Sequence, residues 1–326
     1  VGEPLVPLEP IILKSLKKML GLSLFLPLVA LAGPKIVASI KPVHSLVAGV
    51  MREVGEPRLL VLGGASPHEY SLRPSDARAI SEADIVFWIG PELESFMVKP
   101  LQNAKGRVRS VALLDAPGVA VLPLREGGAW EPHQHHPTEP VGHHSDHDHD
   151  HESGRDVHIW LDPVNAVAMA RRIVAVLGDA DSAHRADYER NGAALIERLN
   201  QLDQQLAGDL APIKDRPFIV FHDAYQYFER RYGLSAAGSI TLSPEQRPGA
   251  KRVTEIQARI RDLGVRCVFG EPQFQPALVE TAIAGSGARS GVLDPEGGAE
   301  LQAGPEAYFE LLRRLADSLR TCLSGA

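Results

Sequence analysis

Short runs rich in β-branched and apolar residues, separated by stretches of helical periodicity, most narrow the folds open to this chain. Runs at 35–40, 58–62, 84–89 and 107–113 precede a His-rich stretch. Others at 158–161, 217–221, 265–270 and 290–293 follow it. Strands interleaved with helices require crossover connections and largely parallel pairing, so the expected fold class is α/β. Between the two sets Asp162-Pro163 reads as a helix cap with a first-turn proline, and Gly178 as the stop of that helix. A second helix is expected from about 181 to 211, ended by Pro212. Leu195, Leu199, Leu202, Leu206 and Leu210 mark one apolar stripe along it. At 1.5 Å per residue it would be roughly 45 Å long, which suits a stiff strut joining two lobes. The alternative is two shorter helices broken near Gly192.

Lys14, Lys17 and Lys18 precede an apolar run from Met19 that ends in Ala30-Leu31-Ala32, the pattern of a cleavable export signal. The run is short for a bilayer span of roughly 20 residues, so a buried or anchoring helix is the weaker reading. Residues 1–10 read as an upstream extension. The expected mature protein is exported, periplasmic and soluble. The formal charge of −7 argues against a nucleic-acid binder. Six carboxylates and no Lys or Arg fall within 131–152, so the acidity belongs to one segment. Cys267 and Cys322 are the only cysteines, and an oxidising compartment would join them; two buried free thiols are the alternative.

Eight of the 13 histidines lie between 133 and 151. Their Gly- and Pro-rich surroundings, 125–155, cannot form a core and read as a disordered His/Asp-rich surface loop. Such a loop would bind several metal ions weakly, or be a solvated linker with incidental metal affinity. Of the remaining five, His184 reads as solvent-facing and His44 as a minor candidate for a cleft. His68, His158 and His222 share a pattern, since each sits where an apolar run gives way to a loop and then a helix. Asp294 occupies the same kind of place. In open α/β sheets those loops line the ligand crevice. One such histidine is more often structural, but three neutral imidazoles fill three tetrahedral positions of Zn²⁺. Ligand type leaves copper and nickel open and disfavours Mg²⁺, Ca²⁺ and Mn²⁺.

Five motifs carry a resemblance: GASPHEYSLRPSD ending at Asp76, VHIWLDP (157–163), FHDAYQYFE (221–229), SPEQRPGAKRVTEI (243–256) and FGEPQF (269–274). In this order they resemble the ZnuA-type zinc-binding proteins of bacterial zinc ABC transporters, within the cluster A-I solute-binding family. The likeness runs from Lys35 to Cys322. It implies two α/β lobes joined by a rigid helix, with a metal cleft between them. It places the metal ligands on His68, His158 and His222, and a disulfide on Cys267 and Cys322. Manganese- and iron-carrying relatives have an acidic residue where His222 stands. Some members have a carboxylate before the first ligand, where this chain has Pro67, so the fourth position falls to water, Asp294 or a loop histidine.

The expected organisation is a signal peptide over 1–32, an N-terminal lobe over 33–178, a linking helix over 179–212 and a C-terminal lobe over 213–326. The expected function is capture of Zn²⁺, as cargo, for an inner-membrane ABC permease with a cytoplasmic ATPase, by a monomer that is not an enzyme. Glu271 and Asp223 are candidates to orient the imidazoles. Rival readings are a hydrolase using a three-histidine site with bound water and a surface adhesin of the same fold. No HExxH helix supports the first.

Overall fold

The computed structural model describes residues 2, 33–125, 130, 154–241 and 248–325. The export-signal reading over 1–32 and the His-rich segment 131–152 lie outside the described residues. In the first half, β1 (Ile36–Ala38) leads into α1 (Lys41–Val50), β2 (Arg58–Leu59), α2 (Pro74–Glu82), β3 (Ile85–Trp88), α3 (Ser95–Asn103) and β4 (Arg109–Ala112). These strands form a parallel sheet in the order β2-β1-β3-β4. Two long helices follow, α4 (Pro163–Ala180) and α5 (Arg185–Leu210). The second half runs β5 (Phe218–His222), α6 (Gln226–Tyr232), β6 (Ala236–Thr241), α7 (Ala250–Asp262), β7 (Cys267–Gly270), α8 (Ala277–Ile283), β8 (Arg289–Val292) and α9 (Ala307–Ser324). Its sheet is also parallel, in the order β6-β5-β7-β8.

Successive strand residues point to opposite faces, and that alternation sorts the core. Val86 and Trp88 pack with residues of α2 and α3 on the outer face of the first sheet, whereas Ile85 and Phe87 face inward. In β5, Ile219 and Phe221 pack outward with residues of α7 and α8, and Phe218 and Val220 face inward. The inward residues of both sheets join one continuous core with α1, α4, α5 and α9. The five leucines of the α5 stripe are all buried in it. α5 packs against α4, α1 and α9, so it serves both halves.

Several sequence expectations need correction. The run at 158–161 is not a strand; Ile159–Leu161 forms a 3₁₀ turn. Its polar groups are taken elsewhere, since Trp160 Nε1 donates to the Pro295 carbonyl at 2.7 Å and the Tyr308 hydroxyl donates to the Trp160 carbonyl at 2.7 Å. Asp162 then caps α4 through the Val164 N–H at 2.8 Å, leaving no length for a strand. Strand β6 was not foreseen, because AAGSIT is poor in strand formers and owes its conformation to pairing with β5. α4 runs through Gly178 to Ala180.

The long helix is shorter than expected. A 3₁₀ turn at Ser182–His184 precedes it, and its 26 residues span about 39 Å. It does not break at Gly192. A Cβ there would stand 2.3 Å from Val174 Cγ2 on α4, so the glycine permits the close approach of the two helices. Alanine would gain about 1 kcal/mol of helix propensity. Overpacking against a β-branched side chain that is stiff at χ1 costs about 1–3 kcal/mol. Gly192→Ala is therefore expected to lower stability by up to about 2 kcal/mol in urea unfolding, and a stabilised variant would show that Val174 gives way.

Candidate metal centre

The period of β5 puts His222, its last residue, on the same inward face as Phe218 and Val220, 2% exposed. His158 stands at the head of the 3₁₀ turn, also buried, and His68 lies half-buried in the connection from β2 to α2. Three chain-distant imidazoles thus meet at one point, their ligand atoms all within 4.8 Å of one another. His158 Nε2 stands 3.3 Å from His68 Nε2 and 3.3 Å from His222 Nε2. Four nitrogens at a Zn–N distance of 2.0–2.1 Å form a tetrahedron with edges of about 3.3 Å. The two measured separations match such edges.

The opposite ring nitrogens explain why the Nε2 atoms face inward. His158 Nδ1 lies 2.8 Å from Asp156 Oδ1, and His222 Nδ1 lies 2.6 Å from Glu271 Oε1. A carboxylate accepting the Nδ1 proton leaves the Nε2 lone pair free for a cation and makes it more basic. Burial, then mutual repulsion, holds the His68 pKa well below the ordinary imidazole value, and burial with the His222 charge does the same for His158. At His222 burial is again the largest single influence and acts downward. The Glu271 charge and hydrogen bond, with Asp223 and Asp156, outweigh it and raise the pKa. Burial pushes the Asp156 carboxyl up to about 7 against the pull of the His158 N–H, Arg125 and His222.

His68, His158 and His222 are brought together, and Glu271 stands where it was expected to orient an imidazole. Asp223 does neither that nor capping of α6, whose N-cap is Tyr225. It pairs with Arg125, whose guanidinium also binds Glu229 at 2.8 and 3.0 Å. Asp156 was missed; its signal was a carboxylate two residues ahead of a proposed ligand. Asp294 is not in the group, because its Oδ1 accepts from Gln273 Nε2 at 3.0 Å and from the N–H groups of Glu296 and Gly297 at 3.1 and 2.9 Å. His44 is buried on the Pro57 carbonyl at 3.0 Å, away from the group, which is the structural reading. His184 is not simply solvent-facing: it is half-buried, its Nδ1 2.7 Å from Asp181. The cysteines form the disulfide Cys267–Cys322.

The family model described as zinc-uptake complex component A, periplasmic (ZnuA), matches residues 36–322. A high-affinity zinc uptake system protein ZnuA of Brucella suis is 48% identical over 314 residues, covering 90% of this chain and 94% of that protein. The protein of the same name from Yersinia pestis is 34% identical over 299 residues, covering 90% and 92%. A zinc-bound crystal structure of a ZnuA deletion mutant superposes with a TM-score of 0.72 at 27% identity, covering 90% of this chain and 99% of that one.

Proposed function

Since the chain belongs to the ZnuA family, the periplasmic components of zinc-uptake systems, we propose that His68, His158 and His222 are the ligands through which it takes up its Zn²⁺ cargo. The protein is a zinc-binding transport component and not an enzyme. The observation that carries the ligand set is the convergence of three imidazoles, with His158 Nε2 at a tetrahedral edge from each of the other two Nε2 atoms and two Nδ1 atoms held by buried carboxylates. The adhesin and hydrolase readings gain nothing from it, because Asp156 and Glu271 are already engaged on imidazoles. Asp294 is satisfied by its own turn, so a water or a donor from the zinc's surroundings would complete the fourth position.

In this reading residues 33–178 and 213–326 act as two lobes about the linking helix 179–212, and a leader over 1–32 directs export. The family membership implies an ABC transporter. The holo protein, as a monomer, would dock on the permease that a cytoplasmic ATPase drives, and a stiff linker would keep closure small.

Zinc titration at pH 7.5, beside a variant lacking 131–152, tests the reading. One tight site retained in the deletion variant is the expected result; its disappearance would place the cargo on the His-rich segment. Protons compete with zinc for imidazole nitrogen. His68 and His158, with lowered pKa values, stay neutral well into acid, whereas His222 takes up a proton first. Affinity should therefore be flat at high pH and begin to fall while still above about 6.5, the ordinary imidazole value. Below that point it should drop about tenfold per pH unit while one proton competes. Affinity constant down to pH 5 would contradict the ligand set.

A further inference from the structure

The turn after β8 touches the segments that bear His68, His158 and Glu271, the last of which holds His222. Asp294 shapes it by accepting the N–H groups of Glu296 and Gly297, and also accepts from Gln273, two residues beyond Glu271, the partner of His222. The next residue's carbonyl, on Pro295, accepts from Trp160, two residues beyond His158. Gly298 lies against Gly63, five residues ahead of His68: a Cβ on Gly63 would stand 1.9 Å from the Gly298 carbonyl oxygen. The backbones approach there more closely than any side chain would allow. The turn is thus joined to the segments of two imidazoles directly, and to the third through Glu271, without contributing a ligand.

One side chain fastens it. Lys41 opens α1 in the first half and is 5% exposed, and its Nζ donates to the carbonyls of both Gly297 and Gly298. A buried ammonium is costly unless its protons find acceptors, and here the acceptors belong to a segment more than 250 residues away in the chain. We infer that Lys41 is a positioning residue for the metal centre: by clamping the 294–298 turn against the 63–65 turn it fixes the register of the three imidazoles and slows release of the cation. The inference rests on the metal-centre reading above. Lys41 touches no proposed ligand and acts only through the turn. When the turn lifts, the ammonium loses both acceptors, so an ordered centre and a closed clamp stabilise each other. Linkage then requires the cation to tighten the clamp as much as the clamp tightens the cation.

Lys41→Met keeps the apolar stem and removes the donors. Zinc-loaded wild-type protein and variant, challenged with excess chelator, are expected to release zinc at rates differing by about tenfold or more, the variant faster, the scale of an outer partner's effect. Co²⁺ loaded in place of zinc should show altered ligand-field bands in the variant, which a loss of global stability alone would not produce. A third measurement needs no variant: zinc should slow hydrogen exchange at the Glu296 and Gly297 amides of the wild-type chain. Equal release rates with identical bands, or amide exchange indifferent to zinc, would overturn the clamp. A wild-type chain without a tight zinc site would instead sink the metal-centre reading, and the clamp with it.

Discussion

His222→Ala is expected to weaken zinc binding by at least about a hundredfold. Outer partners of metal ligands alone are worth about 10–100-fold, and this change removes a ligand itself. His222 is also the imidazole whose Nε2 the surroundings make most basic, through Glu271 at 2.6 Å and the charges of Asp223 and Asp156. The variant leaves the buried Glu271 carboxylate without its imidazole partner, so a stability loss of about 1–3 kcal/mol accompanies it. Glu271→Gln separates the two effects, because it keeps the ligand and removes only the charge that orients it. Competition with a chelator of known affinity at pH 7.5 should rank the proteins as wild type, then Glu271→Gln, then His222→Ala. Wild-type affinity in His222→Ala would mean that the cation is held elsewhere. Glu271→Gln as damaging as His222→Ala would mean that ring orientation, rather than ligand count, governs affinity.

The ranking depends on residues that were unequally legible in the sequence. His68, His158 and His222 could be picked out because each follows an apolar run at a loop, and parallel α/β sheets gather such loops at one end. His158 was chosen for a partly wrong reason. The run it opens is a 3₁₀ turn whose polar groups are satisfied by Pro295 and Tyr308, far along the chain. The same kind of distant partner hid β6, whose small residues adopt a strand because β5 lies beside them. Glu271 was visible from its place after an apolar run. Asp156 was not, because it looks like one more acid at the edge of an acidic segment until its oxygen is seen on His158 Nδ1. Local pattern carried the positions of elements; which carboxylate serves which imidazole is a tertiary fact.

The Cys267–Cys322 bond carries the other large expected effect, and it should fall on stability rather than on zinc. It ties β7, in the middle of the second sheet, to the last turns of α9, with both residues inside the main core. The cross-link closes a loop of 55 residues, for which the chain-entropy model gives ~4 kcal/mol, within an observed range of about 2–5 for native disulfides. Reduction, or the double change Cys267→Ala with Cys322→Ala, is thus expected to lower the melting temperature of the zinc-free protein by about 8–16 °C, at about 2–4 °C per kcal/mol for chains of this order. Neither cysteine belongs to the group of three imidazoles or hydrogen-bonds to it as Asp156 and Glu271 do. The N-terminal end of α9 is held independently, by the Tyr308 N–H on Ser45 at 2.9 Å and the Tyr308 hydroxyl on Trp160. Zinc affinity measured well below the new melting temperature should therefore stay within about threefold of the oxidised protein, since distant sites behave independently. If affinity falls in step with stability, the C-terminal turns of α9 must transmit to Trp160 and so to His158. The metal centre would then depend on the redox state of its compartment.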